Sequence, residues 1–348
     1  MNLIDLCERG YIPDFLTRLG MRRLIAQRLR DERRRDTPAA RAAWLAELRA
    51  SPIAIDTGAA NEQHYEVPPA FFEMHLGPHL KYSCCLYDDG GESLSGAEAA
   101  MLHRYAERAA LGDGQRVLDL GCGWGSLSLW LARRYPRAQI VGLSNSHGQR
   151  EFILRRAAEL GLRNLQIVTG DIATFEFPDE VLGKGFDRVL SIEMFEHMRN
   201  YERLLAKIAG WLRADGRLFV HVFAHRELSY PFEERDASDW MTKHFFRGGL
   251  MPSRALLAEF QGDLRLERDW WLPGTHYART AEDWLAQLDA RRHDIHRLFA
   301  GTFGAAQAAL MVQRWRMFYM AVAELFGHAG GGEWGVAHYL FAPRKAQA

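Results

Sequence analysis

From about residue 105 the chain alternates short apolar runs with helix-length stretches. RVLDL (116–120), QIVGL (139–143), LQIVTG (165–170), FDRVLSIE (186–193) and RLFVHVF (217–223) read as strands. Between them SLSLWLARRY (126–135), roughly 148–160 and YERLLAKIAGWL (201–212) read as helices. Strands separated by helices of this length predict a parallel sheet covered on both faces. After 223 the alternation stops. Residues 225–260 and 275–328 read as helical and aromatic-rich, while LRLERDWWL (264–272) and EWGVAHYLFA (333–342) read as strands that can close the sheet. The predicted architecture is an α/β chain with a mostly parallel seven-stranded sheet. An N-terminal helical extension and active-site lid would occupy 1–100, and the core 101–348, with a helical cap at about 225–330.

Residues 1–50 also read as helical, with Arg18, Arg22, Arg23, Arg28, Arg30, Arg33, Arg34 and Arg35 close together and Met21, Leu24, Ile25 and Leu29 near helical spacing. Such a helix either lies on anionic lipid or packs on its own molecule with a solvated basic face. Asp31, Glu32 and Asp36 interrupt the basic run and favour the second.

Composition narrows the class. The 348 residues are 48% hydrophobic and 25% charged, as in a folded globular protein. Lys+Arg 44 against Asp+Glu 44 gives no basic excess, which argues against nucleic acid as a partner. Cys7, Cys84, Cys85 and Cys122 match neither zinc-ligand spacing nor a secreted disulfide framework, so no metal is expected. The chain has no apolar run of about 18 residues and no basic-then-apolar start. Together these predict a cytoplasmic setting.

The strongest chemical motif is Asp119-Leu120-Gly121-Cys122-Gly123-Trp124-Gly125, between a strand and a helix. Glycines there let the backbone approach a ligand, and the helix start offers free N–H groups. Dinucleotide binders want G-x-G-x-x-G and an acid on the second strand. Here the spacing is G-x-G-x-G, and the second strand ends Leu143-Ser144-Asn145-Ser146. Ser144, Asn145 and Gln149 would then supply neutral hydrogen bonds to a ribose. Asp171, beside Ile172 after the third strand, reads equally as an adenine partner or a helix cap.

The D-x-G-x-G-x-G form resembles the first motif of Rossmann-like class I S-adenosylmethionine (SAM) methyltransferases. With NEQHYEVPPAFFEMHLGPHLKYS (61–83), Cys84 and Glu196-His197, it is similar to the cyclopropane-fatty-acid synthase and mycolic-acid methyltransferase superfamily. NSHGQREFI (145–153), SIEMFEHMRNY (191–201), WMTKHFFRGGLMPS (240–253) and ELFGHAGGGEWGVAHYLF (324–341) resemble its coclaurine N-methyltransferase-like branch, over about residues 10–343. The resemblance implies SAM as cofactor. It implies a pocket from Tyr82, Ser83, Asp119, Gly121, Gly123, Ser144, Asn145, Gln149, Asp171 and Ile172. Tyr65 and Glu66 would stand near the cofactor–acceptor boundary, and Cys84, which lines the bicarbonate site in the lipid-modifying branch, is retained as an acceptor contact. Glu193, Glu196 and His197 would form the reaction chamber. In the lipid-modifying branch position 193 is typically Gly and bicarbonate serves as base. Glu193 departs from that pattern, and a tyrosine that helps hold the anion falls, on the resemblance, at Phe318.

An amine acceptor is protonated in water, so its lone pair is masked. Two acids and a histidine at a strand end can attract the ammonium and take its proton. Of Trp240, Phe245, Phe246, Trp270, Trp271, Trp284 and Trp315, most read as core and a minority as acceptor-facing, with His244 and Tyr277 as further acceptor contacts. Three readings stand: N-methylation of a small, partly hydrophobic amine of isoquinoline type; C-methylation or cyclopropanation of unsaturated acyl chains of phospholipids; or a SAM-binding module without turnover. The first is favoured. The partner would be a small-molecule amine or a lipid, with a homodimer and peripheral membrane contact left open.

Overall fold

The computed structural model describes residues 3–55, 67–236 and 239–344. The N-terminal part is helical: α1 (Leu3–Glu8), α2 (Asp14–Arg35), α3 (Pro38–Ala50), α4 (Pro69–His75) and α5 (Leu94–Arg108). Then follow β1 (Arg116–Leu120), α6 (Ser126–Arg134), β2 (Gln139–Ser144), α7 (His147–Glu159), β3 (Leu165–Thr169), α8 (Asp179–Leu182), β4 (Phe186–Ile192), α9 (Tyr201–Trp211) and β5 (Leu212–His225). The chain continues through β6 (Tyr230–Pro231), α10 (Trp240–Phe245), β7 (Leu250–Met251), β8 (Leu264–Pro273), α11 (Thr275–Ala290), α12 (Arg292–Phe303), α13 (Ala305–Gly327) and β9 (Trp334–Pro343).

Seven strands form one sheet in the order β3-β2-β1-β4-β5-β9-β8. The pairs among β1 to β5 are parallel, and β9 runs antiparallel to both β5 and β8. The strand order reverses between β1 and β4, and such a switch point opens a crevice at the carboxyl ends of those strands. Register follows from burial. β9 lies between two strands and is buried along almost its whole length, whereas β8 at the edge has several exposed positions. Side chains cap the helices that approach the crevice: Ser146 Oγ accepts from the Gln149 N–H at 3.3 Å, and Asn200 Oδ1 from the Arg203 N–H at 2.9 Å.

Two stretches differ from the sequence expectation. Residues 225–260 are not a run of helix; they hold β6, the six-residue α10, β7 and a 3₁₀ turn, Leu256–Glu259. Pro231, Gly248, Gly249 and Pro252 interrupt any continuous helix there. Residues 275–328 are helical but divided into three helices, with the last break at Gly304 (φ +88°).

The basic helix α2 is fastened to its own molecule. Arg18 pairs with Glu282 (2.6 Å) and Glu324 (3.1 Å), Arg22 with Glu324 (2.5 Å), and Arg33 with Glu333 (2.7 Å). Arg316 on α13 joins Asp14 on α2 to Asp289 on α11, each at 2.6 Å. Among the described residues no helix is long and apolar enough to cross a membrane. All four cysteines are buried free thiols.

Candidate active site

β1 delivers the glycine loop to the crevice. Gly123 has φ +51°, and a Cβ built on it meets no heavy atom within 4 Å. The loop thus presents bare backbone to open space, as a cradle for a ligand. Gly121 (φ +81°) is held differently: a Cβ there would press Met194 Cγ at 2.8 Å. Asp119 is 2% exposed and accepts hydrogen bonds from Ser128, from its Oγ at 2.6 Å and from its backbone N–H. Burial raises its pKa to about 6.

Two cavities adjoin across this loop, and both are lined by Gly121, Gly123, Glu193 and His197. Ser144, Asn145, Gln149, Asp171 and Ile172 line one. There Ser144 Oγ donates to Gln149 Oε1 at 2.7 Å, which leaves the buried Gln149 Nε2 without a partner. Asp171 Oδ1 accepts from the Ala173 N–H at 2.9 Å, so this residue is both a turn cap and a cavity wall. Asp119, Tyr82 and Ser83 line the other cavity, beside Lys81, Tyr105, Ser126, Phe223, Phe246, Tyr277, Trp284 and Phe318. Ser126 Oγ is likewise buried and unpaired. Orphaned polar groups, an open glycine cradle and a buried carboxylate suit a polar nucleoside cofactor with a charged amino-acid end. The residues present therefore fit SAM.

At the end of β4, Glu193 takes φ +49°, a left-handed conformation that favours glycine. Its carboxylate is fastened by three donors. Oε1 accepts from the Cys84 N–H at 2.9 Å and from His221 Nε2 at 3.0 Å, and Oε2 from Tyr277 O–H at 2.6 Å. Burial pushes its pKa up, and the Lys81 ammonium and the Cys84 and Tyr277 hydrogen bonds oppose that rise. Lys81 itself is buried and donates to Ser83 Oγ and the Cys84 carbonyl, each at 2.6 Å. Glu196, on the 3₁₀ turn Phe195–His197, has no comparable support. Its Oε2 is buried and unpaired, and burial and the Glu193 charge hold its pKa well above the carboxylate range. Burial thus pushes both acids up, Glu193 against three hydrogen-bond donors and Glu196 without them. His197 lines both cavities and stacks on Phe246 with ring centroids 6.1 Å apart.

Several sequence expectations change. The hydroxyl beside Glu193 belongs to Tyr277, while Phe318 lines the cavity and stacks on Phe245 at 4.2 Å. Cys84 contributes its main-chain N–H; its buried thiol turns to the Cys85 carbonyl at 3.3 Å and lines neither cavity. His244 also lines neither, because its imidazole lies on Trp240 and 3.5 Å from Glu8. Of the cap aromatics, Phe246 and Trp284 reach the cavity and Trp315 does not. Tyr65 and Glu66 lie outside the described residues. Sequence reasoning missed Lys81, Tyr105, Arg108, His221 and His338. The available signal was a histidine inside each of two largely apolar runs, RLFVHVF and EWGVAHYLFA.

Fold and crevice together define an S-adenosylmethionine-dependent methyltransferase. Residues 55–328 match the mycolic acid cyclopropane synthetase family, and the chain belongs to it. It is 39% identical over 298 residues to (S)-coclaurine N-methyltransferase of Thalictrum flavum subsp. glaucum, covering 84% of this chain and 81% of the relative. Pavine N-methyltransferase from the same plant is 32% identical over 346 residues, 98% of this chain and 96% of the relative. The crystal structure of coclaurine N-methyltransferase bound to N-methylheliamine and SAH superposes with a TM-score of 0.92 at 36% identity, covering 98% of each chain.

Proposed function

We propose that this protein N-methylates a small, partly hydrophobic amine of isoquinoline type. The observation that carries the reading is the Glu193 carboxylate, fastened at the junction of the two cavities and flanked by Glu196 and His197. SAM supplies a methyl group on a positively charged sulfur. The Glu193 anion draws the substrate's ammonium form into the cavity. Phe223, Phe246, Phe318 and Trp284 offer ring faces that suit an aromatic cation and exclude water. The cluster of Glu193, Glu196 and His197 takes one proton from the ammonium. Glu193 and Glu196 share one buried site with His197 beside them, so the proton is assigned to the cluster and not to one group. The bared nitrogen lone pair then attacks the methyl carbon in line from about 3 Å. Electrons return to sulfur, and the product leaves as an ammonium.

The fastened carboxylate also argues against cyclopropanation. It already takes the Cys84, His221 and Tyr277 donors that a bound carbonate would need, and it repels a second anion at short range. The test is a mass-spectrometric acceptor screen of wild type and Glu193→Gly, with and without bicarbonate. Wild type is expected to methylate cyclic secondary amines without bicarbonate, and Glu193→Gly to lose at least about a hundredfold in kcat/KM. A fully active variant, or bicarbonate-dependent modification of acyl chains by wild type, overturns the proposal.

A further inference from the structure

His221 in β5 and His338 in β9 stand directly opposite each other in the antiparallel register. The same row extends to Trp270 in β8, and on the other side to Ile192, next to Glu193. Both imidazoles are 0% exposed. His221 Nε2 lies 3.0 Å from Glu193 Oε1, and His338 Nε2 lies 2.8 Å from His221 Nδ1. Arg108 Nη1 lies 2.6 Å from His338 Nδ1, with its guanidinium 4.8 Å above the Trp270 ring. Arg108 ends α5, and one turn earlier the Tyr105 hydroxyl is 3.0 Å from His221 Nδ1. A chain of hydrogen bonds thus crosses the sheet from its outer strands to the reaction chamber.

Its direction is fixed by chemistry. A guanidinium only donates. His338 Nδ1 must therefore accept, which puts that ring's proton on Nε2. Nε2–H of His338 donates to His221 Nδ1, so the second ring's proton is also on Nε2, and it donates to Glu193. Deep burial holds both rings neutral, well below the usual histidine pKa. A cationic His338 would put a proton on Nδ1 against the Arg108 donor.

We propose that Arg108, His338 and His221 form a one-way hydrogen-bond chain that holds Glu193 Oε1 as an acceptor, making the three residues positioning residues for the methyl transfer. This rests on the amine reading above. Glu193 also faces Lys81, the Cys84 N–H, Tyr277, Glu196 and His197. The chain adds orientation to the charge that Lys81 supplies. It carries no proton outward, because Arg108 at its far end has no acceptor. The proton taken from the amine therefore leaves by the cavity.

Two measurements on the full-length protein test this. The first is ¹⁵N spectroscopy of histidine-labelled protein at pH 7, with signals assigned from His221→Asn and His338→Asn. Both rings are expected neutral and protonated on Nε2, with mixed tautomers for His338 in Arg108→Met. A cationic ring, or a proton on Nδ1 of either ring in the unaltered protein, overturns the chain. The second is the pH profile of kcat/KM. Arg108→Met is expected to move the acid limb about one pH unit higher, with SAM affinity by calorimetry within about twofold of wild type, and Arg108→Lys to restore the limb. A profile for Arg108→Met that superimposes on wild type also overturns it. Were the unaltered protein to methylate no amine, the amine reading would fail, while the ring tautomers would still decide the chain.

Discussion

The left-handed backbone of Glu193 is a residue that works against its own conformational preference. At φ +49° a non-glycine residue costs of order 1 kcal/mol or more. Glu193→Gly relieves that strain but strips the buried Cys84, His221 and Tyr277 donors of their acceptor, so it should lower the melting temperature by a few degrees while it removes amine methylation; a raised melting temperature would show that the strain outweighs those hydrogen bonds. Asp119 makes the same trade in another form. Burial raises its pKa to about 6, so the carboxylate is lost as pH falls through that value. Calorimetric SAM affinity should drop below about pH 6 in wild type. Asp119→Asn should bind weakly at every pH. Gly123→Val should abolish SAM binding by filling open space at the loop; unchanged affinity would show that the cofactor lies elsewhere.

At the scale of elements, strand register assembles the site and helix α2 closes the molecule around it. His221 and His338 meet because β9 enters antiparallel between β5 and β8. Helix α2 depends on Arg316, whose side chain is 9% exposed while Asp14 and Asp289 are 44% and 39% exposed. Solvent screens such pairs, so Arg316→Met should cost only about 1–2 kcal/mol. It should appear as earlier proteolysis near residues 9–13, where α1 leads into α2. Unchanged cleavage would mean that the arginine does not hold α2 down.

At the scale of the whole molecule, buried histidines set the acid limit. Burial lowers the pKa of His75 to about 3 and of His225 and His244 to about 4, and it also lowers His79, His221, His276 and His338. The unfolded chain binds protons on these groups below about 6.5, where the folded chain does not. Their contribution to stability is present above that pH and is lost as pH falls. Glu98, Asp119, Glu193 and Glu196 have raised pKa values and act in the opposite sense, but they are fewer. Calorimetry should show a lower melting temperature at pH 5.5 than at pH 7.5; a flat or rising trend would refute the balance.

Local signals in the sequence determined the alternation of β1 to β5 with helices, the glycine loop and the acid-acid-histidine cluster. Each depends on residues close in the chain, where periodicity and turn chemistry act directly. In residues 225–260 the aromatic spacing resembles helix, but Pro231, Gly248, Gly249 and Pro252 break the stretch into short strands, one short helix and a 3₁₀ turn. Only the tertiary structure decided what surrounds Glu193. Its partners come from residues 81–84, from β5 and from α11, and the chain behind it reaches β9 and the end of α5. Hydrogen bonds between residues 28 to 230 positions apart leave no periodic trace. Strand order and register bring those groups within 3 Å and so fix the charge at the site.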